Sequence, residues 1–300
     1  MKHIYILLIA IALVGCDKVD DPRPSVIGNA DGICPAPTFA QNTDTLRNVL
    51  VEDFTGHYCN NCPGIAYAID TIKSNMGKQL IPIGLHVTDQ FAAPVTAKAP
   101  KFQTDFRTAG GLDIYNDLIP SAGLPAVVLN RKDGFTLTPG RLNIYNSNLS
   151  SDIRSFIGDS PKVRIQTKST FDNTTNRVCA YAEVEILTPL ADDHSLVFYL
   201  LEDSIVDWQL YNGNGGNPIY GGAGDIQDYV HKHVLRKCMN GWQGKKIISA
   251  GTSAVGDKIV EGSTFVITDG IWRTNHLEIV AFVYNNITKE VIQAYSEKLN

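Results

Sequence analysis

Leu50-Val51-Glu52-Asp53-Phe54-Thr55-Gly56-His57-Tyr58-Cys59-Asn60-Asn61-Cys62-Pro63 is the stretch on which the reading of the fold turns. It opens in a β-prone run, Asn48 to Phe54, whose lack of clean alternation predicts a strand buried on both faces. It closes on two cysteines separated by two residues. Such a pair closes a small disulfide, supplies half of a zinc site or anchors a haem. Haem attachment needs His directly after the second Cys, and Pro63 stands there. A structural zinc site needs a second ligand pair at similar spacing, and none follows. No metal and no cofactor is expected, which leaves redox chemistry or an inert disulfide.

Working outward, Pro63 falls in the first turn of a helix predicted to start near Cys59, where a missing N–H costs nothing. Ile65, Ala66, Ile69, Ile72 and Met76 then recur at helical spacing. Leu80 to Val87 predicts a second buried strand, and residues 90–118, with Phe91, Phe102 and Phe106, a helical insertion. Ala126 to Asn130 predicts a third strand turning at Lys132-Asp133-Gly134, and a last helix runs from near Pro139 to Phe156. This order resembles the thioredoxin fold. Asp53, six positions before Cys59, sits where that fold carries an acidic residue, and Leu124-Pro125-Ala126 resembles its cis-proline segment. A thiolate at a helix N-terminus is stabilised by free N–H groups, so Cys59 is expected to be the nucleophile, helped by His57 when protonated. Cys62, one turn deeper, suits the resolving role, with a buried Asp53 taking its proton. The site candidates are thus Cys59, Cys62, Asp53, Pro125 and His57. The same residues also fit a domain in which Cys59–Cys62 is only a staple. Tyr58 replaces the usual Trp and Asn60-Asn61 the usual Gly-Pro, so neither potential nor direction carries over.

After Ser160-Pro161 the pattern changes. Val163 to Thr167, Val178 to Ile186, Leu196 to Leu201, Phe265 to Ile267, Leu277 to Tyr284 and Val291 to Tyr295 read as strands separated by Asn/Asp/Gly turns. They predict an all-β, immunoglobulin-like antiparallel sandwich. The glycine-dense Tyr211 to Asp225 lacks the Gly-Lys-Ser/Thr of a phosphate loop, and its acid stands one place early for a calcium repeat. His231-Lys232-His233 would set two imidazoles on one side of a strand, without a third ligand.

The N-terminus indicates the compartment. Met1-Lys2-His3 is followed by an apolar run from Ile4 to Val14, too short to span a bilayer and right for a signal-peptide core. Gly15-Cys16 after it resembles a bacterial lipobox, in which Cys16 is acylated (palmitate being a typical chain) and becomes the first residue. An ordinary secretory signal with an incidental Cys is the other reading. Asp17 to Pro37, with Pro22, Pro24, Pro35 and Pro37 and few bulky apolar side chains, reads as a tether. The expected organisation is a signal peptide over 1–15, a tether over 16–37, a thioredoxin-like domain over 38–157 and a β-sandwich over 161–300. The net charge of −5 becomes −6 once Lys2 is lost, and nothing basic clusters, so nucleic acid is not an expected partner. The expected partners are a membrane, through the lipid on Cys16, and protein thiols or disulfides. Cys34, Cys59, Cys62, Cys179 and Cys238 remain in an oxidising compartment, and their odd number leaves one unpaired within the chain. If Cys59 and Cys62 pair, Cys179–Cys238 is the natural second bridge, with pairings of Cys34 open.

The chain as a whole resembles the Bacteroidetes outer-membrane lipoproteins named for a twenty-eight-kilodalton outer-membrane protein. The matching residues are Glu52-Asp53-Phe54-Thr55-Gly56 leading to Cys59-Asn60-Asn61-Cys62-Pro63, then Gly123-Leu124-Pro125 with Asn130-Arg131. His233-Val234-Leu235-Arg236 followed by Gly241 and Gly244 extends the match. The charged Asp17-Lys18-Val19-Asp20-Asp21 also looks like the export signal that sends such lipoproteins to the outer face of the outer membrane. The resemblance implies a thioredoxin-like domain and a β-sandwich at the cell envelope, and no settled activity. A surface protein whose sandwich binds a partner, without catalysis, is the rival to a thiol-disulfide oxidoreductase.

Overall fold

The computed structural model describes residues 26–27, 33–138, 148–212, 224–268 and 270–299. Cys16, most of the tether, the start of the last predicted helix and residues 213–223 of the glycine-dense loop lie outside the described residues.

After β1 (Val26–Ile27), the first half of the chain forms β2 (Val49–Thr55), α1 (Cys62–Met76), β3 (Leu80–His86), a single turn α2 (Asp89–Ala92), α3 (Ala109–Leu118), β4 (Ala126–Leu129), β5 (Thr136–Leu137) and α4 (Asn148–Arg154). Strands follow: β6 (Val163–Asp172), β7 (Arg177–Ile186), β8 (His194–Glu202), β9 (Ile205–Gln209), β10 (Ile226–His231), β11 (Val234–Cys238), β12 (Lys245–Ile248), β13 (Lys258–Val266), β14 (Leu277–Asn285) and β15 (Val291–Lys298). Their periodicity explains them locally. Ile65, Ile69 and Ile72 of α1 share one face and bury it against Val49, Val51 and Leu80, each contributing roughly 1.5–3 kcal/mol of apolar burial. Gly77 ends α1 with a positive φ of 58°, which glycine adopts without a Cβ clash.

The expected α/β thioredoxin-like domain followed by its own sandwich is not what forms. Strands dominate, and β2 to β5 have no sheet of their own. They are one end of a nine-stranded sheet ordered β15-β14-β8-β11-β3-β2-β4-β5, with β12 paired to β8. The joint is β11, which runs antiparallel to β8 and parallel to β3 through Val234 opposite Gly84. A Cβ on Gly84 would press on the Lys232 carbonyl, so the close approach needs glycine there. A second sheet, β1-β13-β7-β6, packs on the β8–β14 half of the large one through Ile165, Val178, Leu196, Phe198, Ile279 and Ala281. Sandwich-like packing is therefore present, but one of its layers continues into the first half of the chain. All nine residues of β8 are buried for this reason. Leu196, Phe198 and Leu200 face β6 and β7, while Val197, Tyr199 and Leu201 join a cluster with Phe54, Cys59 and Cys62.

Other expectations shift at their edges. The helix expected from Cys59 starts at Cys62, with Asn61 as its cap. The helical insertion over 90–118 reduces to α2, one 3₁₀ turn and α3, whose Thr108 cap accepts from the Gly111 N–H at 3.0 Å. The ribbon of β9 and β10 pairs only with itself.

Candidate functional site

Cys59 and Cys62 form a disulfide with Cα atoms 5.5 Å apart. The loop from β2 to α1 is built around it. The Cys59 N–H donates to the Gly56 carbonyl at 3.0 Å, and the Tyr58 N–H to the Phe91 carbonyl at 2.9 Å. Any Cβ on Gly56 would collide with that Phe91 carbonyl, so this loop admits no side chain there. Cys62 is the first helical residue and Cys59 lies two positions before the cap. Both cysteines are only 2% exposed. The Leu124–Pro125 bond is cis, Pro125 is buried, and Leu124 and Ala126 on either side of it share the apolar cluster of the two cysteines.

Asp53 lies on the β2 face covered by α1. It borders a cavity of about 40 Å³ with Ala66, Asp70, His86, Gln209 and His231 among its walls. Ala66 is one turn beyond Cys62, and residues so spaced lie about 5–6 Å apart at Cβ. The Asp53 Oδ1 has no hydrogen-bond partner. Burial, reinforced by the nearby Asp70 carboxylate, pushes the Asp53 carboxyl up to about 8. The cavity is roomy enough for a water molecule.

His57 does not carry the charge expected of it. Its ring is fully buried between the edges of Phe102 and Phe106, with centroids 5.7 and 5.4 Å away. Its Nε2–H donates to the Ala93 carbonyl at 3.0 Å, while Nδ1 has no partner. Burial lowers its pKa, so it is neutral at pH 7 and adds no positive charge to Cys59. His231 and His233 are also separated, because β10 ends at His231 and His233 turns with φ 50°. His231 lies tilted against Phe106, ring centroids 4.7 Å apart, and meets His86 at 3.4 Å between ring nitrogens, and His233 pairs with Glu278 at 3.3 Å. Among the described residues no group of three or more His, Cys, Asp or Glu is arranged to hold a metal ion.

The second bridge is Cys34–Cys179, with Cα atoms 5.8 Å apart, rather than Cys179–Cys238. Cys179 alternates outward on β7, beside Tyr181 and Val260, away from the layer that holds β11. Cys238 is left free beside Gly110, and burial pushes its thiol up to about 12.

Two features were not assigned a role from sequence. Gln209, on β9, donates through Nε2 to the carbonyls of Cys59 (2.9 Å) and Gly56 (3.3 Å). Glu52 and Arg131 form a fully buried ion pair, Arg131 donating from Nε at 2.9 Å and Nη2 at 2.6 Å, and Nη2 also to the Tyr199 hydroxyl at 3.1 Å. Both link the halves of the chain, and only the three-dimensional pairing exposes them.

A β-rich architecture with a buried Cys-x-x-Cys disulfide at a helix start defines the class. The family described as Outer membrane protein Omp28 matches residues 113–300, and the chain belongs to it. It is thereby an outer membrane protein of the cell envelope. No curated protein matches the sequence. Among solved structures, HBP35 of Porphyromonas gingivalis is similar at 18% identity and a TM-score of 0.61, covering 86% of this chain and 77% of that one. A domain of the outer membrane lipoprotein Omp28 from the same organism is 21% identical over 46% of this chain and 96% of its own, with a TM-score of 0.31. Among the described residues no helix is long and apolar enough to cross a membrane.

Proposed function

We propose that this outer membrane protein is a lipoprotein held by acyl chains on Cys16 and that its Cys59–Cys62 pair exchanges with protein thiols or disulfides. Asp53 is the observation that supports the reading. A buried acid with an unpartnered oxygen costs free energy, and a purely structural disulfide needs none under its helix. In the oxidising direction a substrate thiolate attacks the Cys59 sulfur and the Cys59–Cys62 bond breaks. The electron pair leaves on Cys62, which takes the proton of the neutral Asp53 carboxyl. A second substrate thiolate then displaces Cys59, leaving a substrate disulfide and a reduced pair. In the reverse direction the Asp53 carboxylate takes the proton from Cys62 as it attacks a mixed disulfide on Cys59.

The burial of both sulfurs favours a second reading, a non-enzymatic surface or structural lipoprotein in which the pair is a staple. The reduction potential separates the two. Equilibration with glutathione buffers, followed by alkylation and intact mass, reads the fraction of reduced pair. A midpoint above about −300 mV is expected for an exchanging couple. A pair that stays oxidised throughout that range refutes exchange and leaves the staple.

A further inference from the structure

We infer that Gln209 and the β9–β10 ribbon form a latch on the loop that carries Cys59, and that exchange at Cys59 proceeds through an open state in which the ribbon has lifted. The inference rests on the redox reading above and adds what governs access to it. Exchange requires a thiolate to reach a sulfur, and neither cysteine is more than 2% exposed. Some covering element must therefore move. The helix α1 is a poor candidate, because Ile65, Ile69 and Ile72 root it in the core.

The ribbon has the opposite construction. It belongs to neither large sheet. At one end, where His231 stands opposite Ile205, it is rooted: His231 packs on His86 and Phe106. At the other end, where Ile226 stands opposite Gln209, its bonds go to the cysteine loop. Gln209, itself 2% exposed, donates to the carbonyls of Cys59 and Gly56. The Leu210 N–H donates to the His57 carbonyl at 2.8 Å, and the Asn212 N–H to the Asn60 Oδ1 at 2.7 Å. The register slips between Ile226 and Tyr229, a bulge that separates the rooted end from the latched one. The remaining clasps are mostly polar: Lys101 with Asp225 at 2.9 Å, Lys232 with Asp70 at 2.6 Å, and Thr104 with Asp207, beside one ring contact of Trp208 with Phe102, centroids 6.3 Å apart. Partly exposed pairs of this kind hold weakly. On the outer side Val206 and Val230, cross-strand partners, are 57% and 40% exposed and bury little. A surface segment with one apolar root and a polar free end opens at that end first.

The test is the rate at which dithiothreitol reduces Cys59–Cys62 in the full chain, read by alkylation and mass. With a latch, the rate rises with dithiothreitol and then levels at the rate of opening. Gln209→Ala should raise it about fivefold, the factor for one net hydrogen bond. Asn60→Ala, altered at the exposed end, should raise it by a smaller factor of the same sign. A rate that stays linear in dithiothreitol and is unchanged in both variants overturns the latch. If Gln209→Ala does not fold, Asn60→Ala decides: faster reduction supports the latch, and an unchanged rate overturns it. The glutathione midpoint is independent of these rates. A pair that never reduces in glutathione but shows levelling kinetics with dithiothreitol fails the exchange reading while keeping the latch.

Discussion

Asp53→Asn should gain stability relative to the wild type as the pH rises from acid to neutral. The carboxyl titrates at 3.8 in the unfolded chain and near 8 in the fold. A group whose folded pKa is raised contributes its full stability below the unfolded value and loses it as pH rises through the folded one. Each pH unit in that window removes about 1.4 kcal/mol, so at pH 7 the wild type has lost about 4 kcal/mol relative to pH 3.5. Asn has nearly the same shape and does not ionise, so the variant escapes that loss. It brings its own penalty, about 1–3 kcal/mol for burying amide N–H groups without partners. That penalty does not vary with pH and cancels in the difference between the two conditions. Urea unfolding of both proteins at unit steps from pH 3.5 to 8 measures it. The stability difference should grow toward neutrality by about 3–4 kcal/mol. A difference flat to within about 0.5 kcal/mol would show that Asp53 has ordinary acidity, and the main support for exchange would go with it.

Arg131→Met removes the partner of a fully buried Glu52 and should destabilise by about 3–5 kcal/mol in urea, a loss largely recovered by adding Glu52→Gln. His86 and His231 are buried with lowered pKa values, His231 near 3, so the unfolded chain binds protons that the fold refuses and stability falls as pH drops below 6.5. In the Asp53→Asn background, which removes the opposing carboxyl, the loss per pH unit below 6 should exceed the roughly 1 kcal/mol of a single group, and equal unfolding midpoints at pH 7 and 5 would contradict this. Cys238, pushed up to about 12 by burial, should resist a thiol reagent at pH 8 until urea unfolds the chain; labelling at the rate of a free thiol would place it at the surface. Cys16→Ser should release the protein from membranes, and unchanged fractionation would remove the anchor.

The local elements were legible because their signals are local. The unbroken apolar run of β2 and the spacing of Ile65, Ile69 and Ile72 each report a burial that neighbours in sequence impose. The partner of an open strand edge is not local. Nothing in Leu80 to His86 says that β3 pairs with Val234, so two domains were expected where one sheet runs through. His57 was misjudged for a related reason. Its closeness to Cys59 is visible in sequence, but the aromatic box that keeps it neutral comes from Phe102 and Phe106, some 45 residues onward. Cys179 failed likewise, since pairing by elimination ignores that alternate residues of β7 face opposite layers. Gln209 is a single amide in a short mixed strand, and no period or motif marks it. A search for polar residues inside otherwise apolar strands would have raised Glu52 and Asp53 together, without telling them apart.

That distinction carries weight for function. Glu52 and Asp53 are consecutive residues on one strand, both buried, and the fold treats them in opposite ways. Glu52 receives a two-pronged guanidinium, which is itself held by the Tyr199 hydroxyl and by the ring of Phe282 at 4.9 Å. Asp53 is left with an Oδ1 that nothing meets, against a small cavity and under the helix that begins at Cys62. A chain that supplies Arg131 to one acid has the means to satisfy the next, or to replace it with an apolar residue at no electrostatic cost. Leaving the Asp53 Oδ1 unpartnered keeps a proton under the helix that begins at Cys62, bound at pH 7 and released as the pH rises through about 8. Proton transfer favours a group titrating near the working pH, whereas a staple gains nothing from it. On the exchange proposed above, the carboxyl that lacks an ion-pair partner is the one assigned the proton of Cys62.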